Sequence, residues 1–143
     1  MSIVIHRLGN EHASTTSAYL RHGDHEFAAL VHGSTASLSK LLNRECLTEM
    51  SFERVASWNE LTEFQDEQSC IKQSAQVRGA ITLRGRVHST TQVDDNVQIV
   101  DLYLRTGPEF LAISSEELGG HVPAVGSALK VTVHGLCFYP VDS

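Results

Sequence analysis

The sequence predicts a mainly β protein: a small, strongly bent β-barrel carrying one or two short helices. Three observations lead there. Apolar and polar residues alternate with a period of two over residues 76–89 and 45–55, the pattern of strands with one buried face. Gly85 and Gly135 interrupt the two long C-terminal strands, where a strand wrapping a small barrel must bend. Turn-forming residues at 94–96 and 107–108 separate short apolar runs. The chain has 143 residues, near the commonest size for one domain, and no Pro/Gly/Ser-rich linker divides it. A single domain over 1–143 is expected, with residues 1–25 as an N-terminal arm or irregular segment and 26–143 as the barrel.

The elements follow in order. "SIVIHR" at 2–7 suits a short strand or an ordered arm, and 9–25 reads as polar and irregular. "EFAALVHG" is a compact apolar run stopped by Gly33, which predicts a strand. Leu38, Leu41 and Leu42 recur at offsets of three and four, which suits one or two helical turns. In "ECLTEMSFERV", Cys46, Thr48, Met50 and Phe52 share one face, with Glu45, Leu47, Glu49, Ser51 and Glu53 outside. "SWNELTEF" has Ser57 with Glu60 three residues on, a pattern for a short capped helix or turn, and "QDEQSCIKQS" reads as an exposed loop. In "QVRGAITLRGRVHS", Ile81, Leu83 and Val87 face in and Arg78, Arg84, Arg86 and His88 face out. "VQIVDLYLR" and "EFLAIS" are strands, and Ser114 with Glu117 opens a short helix that Gly119-Gly120 ends. "SALKVTVHGLCFYP" is a long final strand.

This order, carried by "ITLRGRVHS", "VDLYLRTGPEFLAISSEEL" and "VGSALKVTVHG", resembles the oligonucleotide/oligosaccharide-binding (OB) fold over about residues 76–139. In that fold a helix lies between the third and fourth strands of a five-stranded barrel. The resemblance implies that strands at 26–33 and 45–55 complete or flank the barrel. It also implies a binding face on the second and third strands and the loops beside them.

Composition narrows the function. Lys plus Arg is 11 and Asp plus Glu is 17, a net charge of −6, which argues against binding nucleic acid or anionic membrane over the whole surface. No run approaches the ~20 apolar residues of a spanning helix. The apolar run at the N-terminus is too short for a secretory signal. Cys46, Cys70 and Cys137 are odd in number and lack CxxC spacing, so neither a disulfide framework nor a cysteine zinc site is expected. A reducing cytoplasm fits this usage.

The charge is unevenly placed. Glu45, Glu49, Glu53, Glu60, Glu63, Asp66 and Glu67 face a single base, Arg54, within 45–67, so this segment matches the charge of the whole chain. Such a stripe steers and docks a basic partner, or protects a strand edge against aggregation. It makes a non-catalytic protein-binding module the leading expectation: an accessory or immunity-type protein that masks a basic partner. The alternative is single-stranded nucleic-acid binding by an OB-type face using Arg84, Arg86, His88, Tyr103 and Arg105. Arginine holds phosphates and an aromatic supplies a stacking platform. Against it, no aromatic alternates along the arginine strand, and outward arginines also serve simply to solvate a face or pair with acids nearby.

Enzyme activity and cofactors are not expected. GxSxG, GxGxxG and the Walker phosphate loop are absent. Cys46 and Cys137 fall in apolar strands, and Cys70, in a polar stretch, is the candidate reactive thiol. His22, Asp24 and His25 are metal-ligand types placed close together, but without a standard spacing no metal site is expected. Asp101 suits pairing with Arg84 or Arg86 across the sheet, or an outward position in solvent. Trp58 and Phe64 suit plugging a barrel end, with an interface anchor as the other use. Pairing of exposed edges into a homodimer stays open.

Overall fold

Eleven strands carry the chain, in a computed structural model that describes residues 2–104 and 109–141. Five strands close into a barrel in the order β1-β2-β3-β11-β4: β1 Ser2–His12, β2 Thr15–His22, β3 His25–His32, β4 Glu45–Ser51 and β11 Cys137–Pro140. β1 and β4 close it through Ser2 opposite Leu47 and Val4 opposite Glu45. β11 runs parallel to β3 and antiparallel to β4. A short helix, α1 Thr35–Leu38, and a 3-10 turn at Ser39–Leu41 join β3 to β4. The order, and a helix between the third and fourth strands, are compatible with an OB-type barrel.

The strands described between β4 and β11 form a second sheet, ordered β5-β10-β7-β8-β9. Its strands are β5 Arg54–Leu61, β7 Ile81–Asp94, β8 Val97–Leu104, β9 Glu109–Ser114 and β10 Ala128–His134, with β6 Cys70–Gln73 added beside the start of β7. The OB-like element order spans about 76–139, yet those residues supply only β11 to the closed barrel. The last long strand divides at Gly135, and 45–55 divides at Phe52–Glu53; at each break the chain passes from one sheet to the other. The two passages lie side by side, where the Glu53 N–H donates to the His134 carbonyl at 2.9 Å.

Four local expectations are overturned. The strand read at 76–89 starts only at Ile81: residues 76–80 form a bend and turn, with Gly79 at φ 77°, so Arg78 does not lie on the outer face of β7. Residues 9–25 are not an irregular arm, because β1 and β2 pair as an antiparallel hairpin within the barrel. The inward positions of β2 are Thr16, Ala18, Leu20 and His22, so small and polar residues disguise the alternation. The Thr16 hydroxyl donates to the Gly33 carbonyl at 2.8 Å, which makes a fully buried threonine tolerable. "SWNELTEF" is not a helix: residues 54–61 pair with β10 along their whole length, and tertiary pairing overrides the Ser57/Glu60 capping pattern. "QDEQSCIKQS" is a 3-10 turn at Asp66–Gln68 followed by β6, with Cys70 and Ile71 buried.

One apolar cluster runs through both sheets, from Ile3, Leu20, Phe27 and Phe138 in the barrel to Leu83, Leu102, Leu111, Leu129 and Val131 in the second sheet. Each such side chain, fully buried, contributes about 1.5–3 kcal/mol relative to exposure. Gly85 takes part by absence: a Cβ there would collide with the Tyr103 carbonyl of β8 and lie 2.9 Å from Leu104 Cδ2. No helix among the described residues is long and apolar enough to cross a membrane.

Candidate functional site

Three of the six exposed large hydrophobic side chains among the described residues lie together on one outer wall of the closed barrel. Along β4, residues 45, 47, 49 and 51 point outward and residues 46, 48 and 50 point inward. β11 lies against it with Tyr139 opposite Glu49, and the Val141 N–H donates to the Leu47 carbonyl at 2.9 Å. Leu47, Val141 and Tyr139 are therefore neighbours on one face, 60%, 48% and 37% exposed. The Tyr139 ring is held in place: it stacks on His32 with centroids 5.2 Å apart, and Ser51 Oγ donates to its hydroxyl at 3.1 Å. Beside Leu47 and Val141 opens a hollow of about 390 Å³, with Leu41, Arg44, Glu45 and Cys46 completing its lining. Glu45 and Glu49 flank this apolar centre, and no ion pair to either carboxylate forms among the described residues.

The other predicted acids are elsewhere. Glu53 falls beyond the end of β4, 3.7 Å from Arg54, so it does not continue the stripe of Glu45 and Glu49. Glu60 lies on β5 in the second sheet, 3.4 Å from His121 Nε2, and His121 in turn stacks on Trp58 at 5.4 Å. Trp58 packs partly buried against the core. Glu63 and Asp66 lie in the connection from β5 to β6, and Glu67 is in its 3-10 turn. The seven acids thus divide between the barrel, the second sheet and the connections beside it, with Glu45 and Glu49 next to the exposed Leu47, Tyr139 and Val141.

The arginine strand is β7, in the second sheet. Arg86 is committed to the fold. Its Nε donates to Asp66 Oδ1 at 2.7 Å, and its two terminal nitrogens donate at 2.8 Å to the carbonyls of Gly126 and Phe64. Its guanidinium also lies 5.3 Å from the Phe64 ring centroid. β5 neighbours β10 while β6 lies on the far flank of β7, so residues 62–69 must cross both strands. Arg86 pins this strap to the face it crosses. Arg86→Ala is expected to cost about 1–2 kcal/mol, the lower part of the range for charged hydrogen bonds because the pair is partly solvated. Limited proteolysis checks this: cleavage within 62–69 should accelerate, and an unchanged cleavage map would show that Arg86 does not hold the strap.

His88 and Tyr103 approach with ring centroids 5.8 Å apart, and Arg105 lies outside the described residues. Asp101 pairs with neither Arg84 nor Arg86; Ser89 Oγ donates to it at 3.0 Å, across a register shift between Val87 and Ser89.

The histidine and cysteine candidates separate too. His22 is buried at the barrel wall and its Nδ1–H donates to the Ser2 carbonyl at 3.2 Å, while Asp24 and His25 are exposed on the hairpin. No group of three or more metal-ligating side chains assembles among the described residues. Cys70 is not the exposed thiol that its polar neighbours suggest. Burial raises its pKa, against the lowering pull of Lys72 and Arg84. Burial likewise pushes Cys46 and Cys137 up.

The alternation in 45–51 already placed Glu45, Leu47 and Glu49 together. Tyr139 and Val141 escaped sequence reasoning, because Cys137 and Phe138 are consecutive buried residues and break the period of two. Comparison with protein-family models, curated proteins and solved structures finds no match for this chain.

Proposed function

We propose that the protein is a non-catalytic binding module with an OB-type barrel, and that it docks a protein partner on the β4–β11 wall. The supporting observation is an exposed apolar centre, Leu47, Tyr139 and Val141, flanked by the carboxylates of Glu45 and Glu49. A fixed aromatic surrounded by smaller apolar groups is the usual make-up of an interface centre, and charge at its margin selects the partner's sign. The partner this wall fits presents an apolar knob between basic side chains, as a basic protein masked by an immunity-type inhibitor would. Nucleic-acid binding through Arg84, Arg86, His88, Tyr103 and Arg105 has less support, because Arg86 is spent on three protein acceptors.

Site-specific photo-cross-linking tests the proposal. A benzophenone side chain at Leu47 should capture a basic protein that the same group at Val93, also exposed, does not. Glu45→Lys/Glu49→Lys in the Leu47-labelled protein should abolish the capture. Identical products from positions 47 and 93, or capture that survives charge reversal, would refute docking at this wall.

A further inference from the structure

The second sheet carries a basic row that the proposed docking wall does not use. Arg84 on β7 lies directly opposite Lys130 on β10, and Cys70 of β6 is its neighbour on the other side. Lys72 is opposite Thr82, one step along the same face. Three cations therefore meet within adjacent register positions of three strands. Like charges directly opposite in an antiparallel pair repel. Among the described residues no carboxylate forms an ion pair with any of the three.

Arg86, two residues along the same strand, shows what an arginine committed to the fold looks like here, with all three nitrogens given acceptors. Arg84 differs: its Nε is shut off from solvent and has no hydrogen-bond partner. A buried donor without an acceptor is costly, and such a group in a folded protein calls for an explanation. Cys70 is paired with Arg84 across β6 and β7, and Lys72 follows it two residues along β6 on the same face, so the two cations flank one backbone position. Beside them Thr82 and Thr132 share a buried hydroxyl–hydroxyl hydrogen bond of 2.9 Å, so the neighbouring sheet surface is polar.

We propose that Lys72, Arg84 and Lys130 form a binding site for a phosphate group. A guanidinium fork with two ammonium groups offers several donors and three charges. A single carboxylate would leave most of that unsatisfied, whereas a phosphate carries enough charge and acceptor oxygens to engage all three. The phosphate belongs either to a small phosphorylated molecule or to a nucleic-acid backbone.

The Arg84 Nε–H resonance of ¹⁵N-labelled full-length protein reports on the guanidinium to which the phosphate binds. It should shift and saturate on titration with pyrophosphate, with oligothymidylate, or with both. Saturation by pyrophosphate alone identifies a small phosphorylated ligand; saturation by the oligonucleotide identifies a backbone phosphate, and its affinity should then fall steeply with salt. Lys130→Gln and Lys72→Gln should each weaken binding by about tenfold or more. In ligand-free buffer Lys130→Gln should melt at a higher temperature than the parent, because a like-charge contact is relieved, and it should lose the parent's stabilisation by pyrophosphate. An Arg84 resonance unmoved by either probe overturns the site. So does a Lys130→Gln variant that binds as tightly as the parent or is less stable than it.

Discussion

Phe138→Ala is expected to lower the unfolding free energy by about 3–5 kcal/mol, read as a fall in the urea midpoint at unchanged slope. Phe138 is 0% exposed and among the largest fully buried side chains. Its ring lies 5.9 Å from that of Phe27 on β3, and the backbone pairs it with Val31 on one side and Met50 on the other. β11 has only four residues, yet it is the strand that joins β3 to β4 and so closes the barrel. Phe138 is the main side-chain anchor of that short strand, so truncation both opens a cavity and loosens the closure. A domain of this size is stabilised by about 5–15 kcal/mol in total, so the loss is a large fraction. Phe138→Leu keeps most of the volume and should cost under about 2 kcal/mol. The neighbouring Tyr139 shares the consequence: with β11 loosened, capture from position 47 should weaken even though no wall residue has changed. A midpoint that does not move would show that this ring does not hold the strand.

The strands at 26–32, 45–51 and 97–104, and residues 81–89 of β7, were legible because each has a local apolar rhythm with a turn or glycine near its end. The division into a closed barrel with an inserted sheet was not. It is set by which distant segments pair, as in β11 against β3 and β4, and pairing of that kind leaves no mark in any short window. β2 was hidden because threonine, alanine and histidine fill its inward positions. β5 was hidden because a strand residue, Ser57, happens to precede a glutamate at capping distance. The same division separates the two candidate sites. Glu45, Leu47 and Glu49 are close in sequence and could be read together. Arg84 was singled out by its strand alone, but Lys72 and Lys130 join it only once the register across β6, β7 and β10 is known. Glu49 ends on the barrel and Arg84 on the insertion, but the charges are not segregated by sheet, because Glu60 lies on β5 and Asp66 binds Arg86 beside the same arginine strand.

Gly135→Ala should cost about 2–5 kcal/mol, and its origin can be divided experimentally. Gly135 has φ 71°, a conformation that carries a penalty of about 1–2 kcal/mol for any residue with a Cβ. A Cβ there would also lie 2.6 Å from Glu53 Cβ and 3.3 Å from Glu53 N, on the neighbouring passage between the sheets. Overpacking of this kind typically adds about 1–3 kcal/mol, and the Glu53 N–H bond to His134 resists the shift that would relieve it. Gly79 separates the two terms. It has φ 77° and nothing within 4 Å of a built Cβ, so Gly79→Ala should show the backbone penalty alone. Glu53→Gly separates them from the other side, because it removes the obstructing Cβ. The double variant Gly135→Ala/Glu53→Gly should therefore be more stable than the sum of the single changes, by about the overpacking term. If Gly135→Ala costs no more than Gly79→Ala, and the double-variant cycle is additive, the two passages are not in contact and the inserted sheet is joined to the barrel less tightly than this geometry requires.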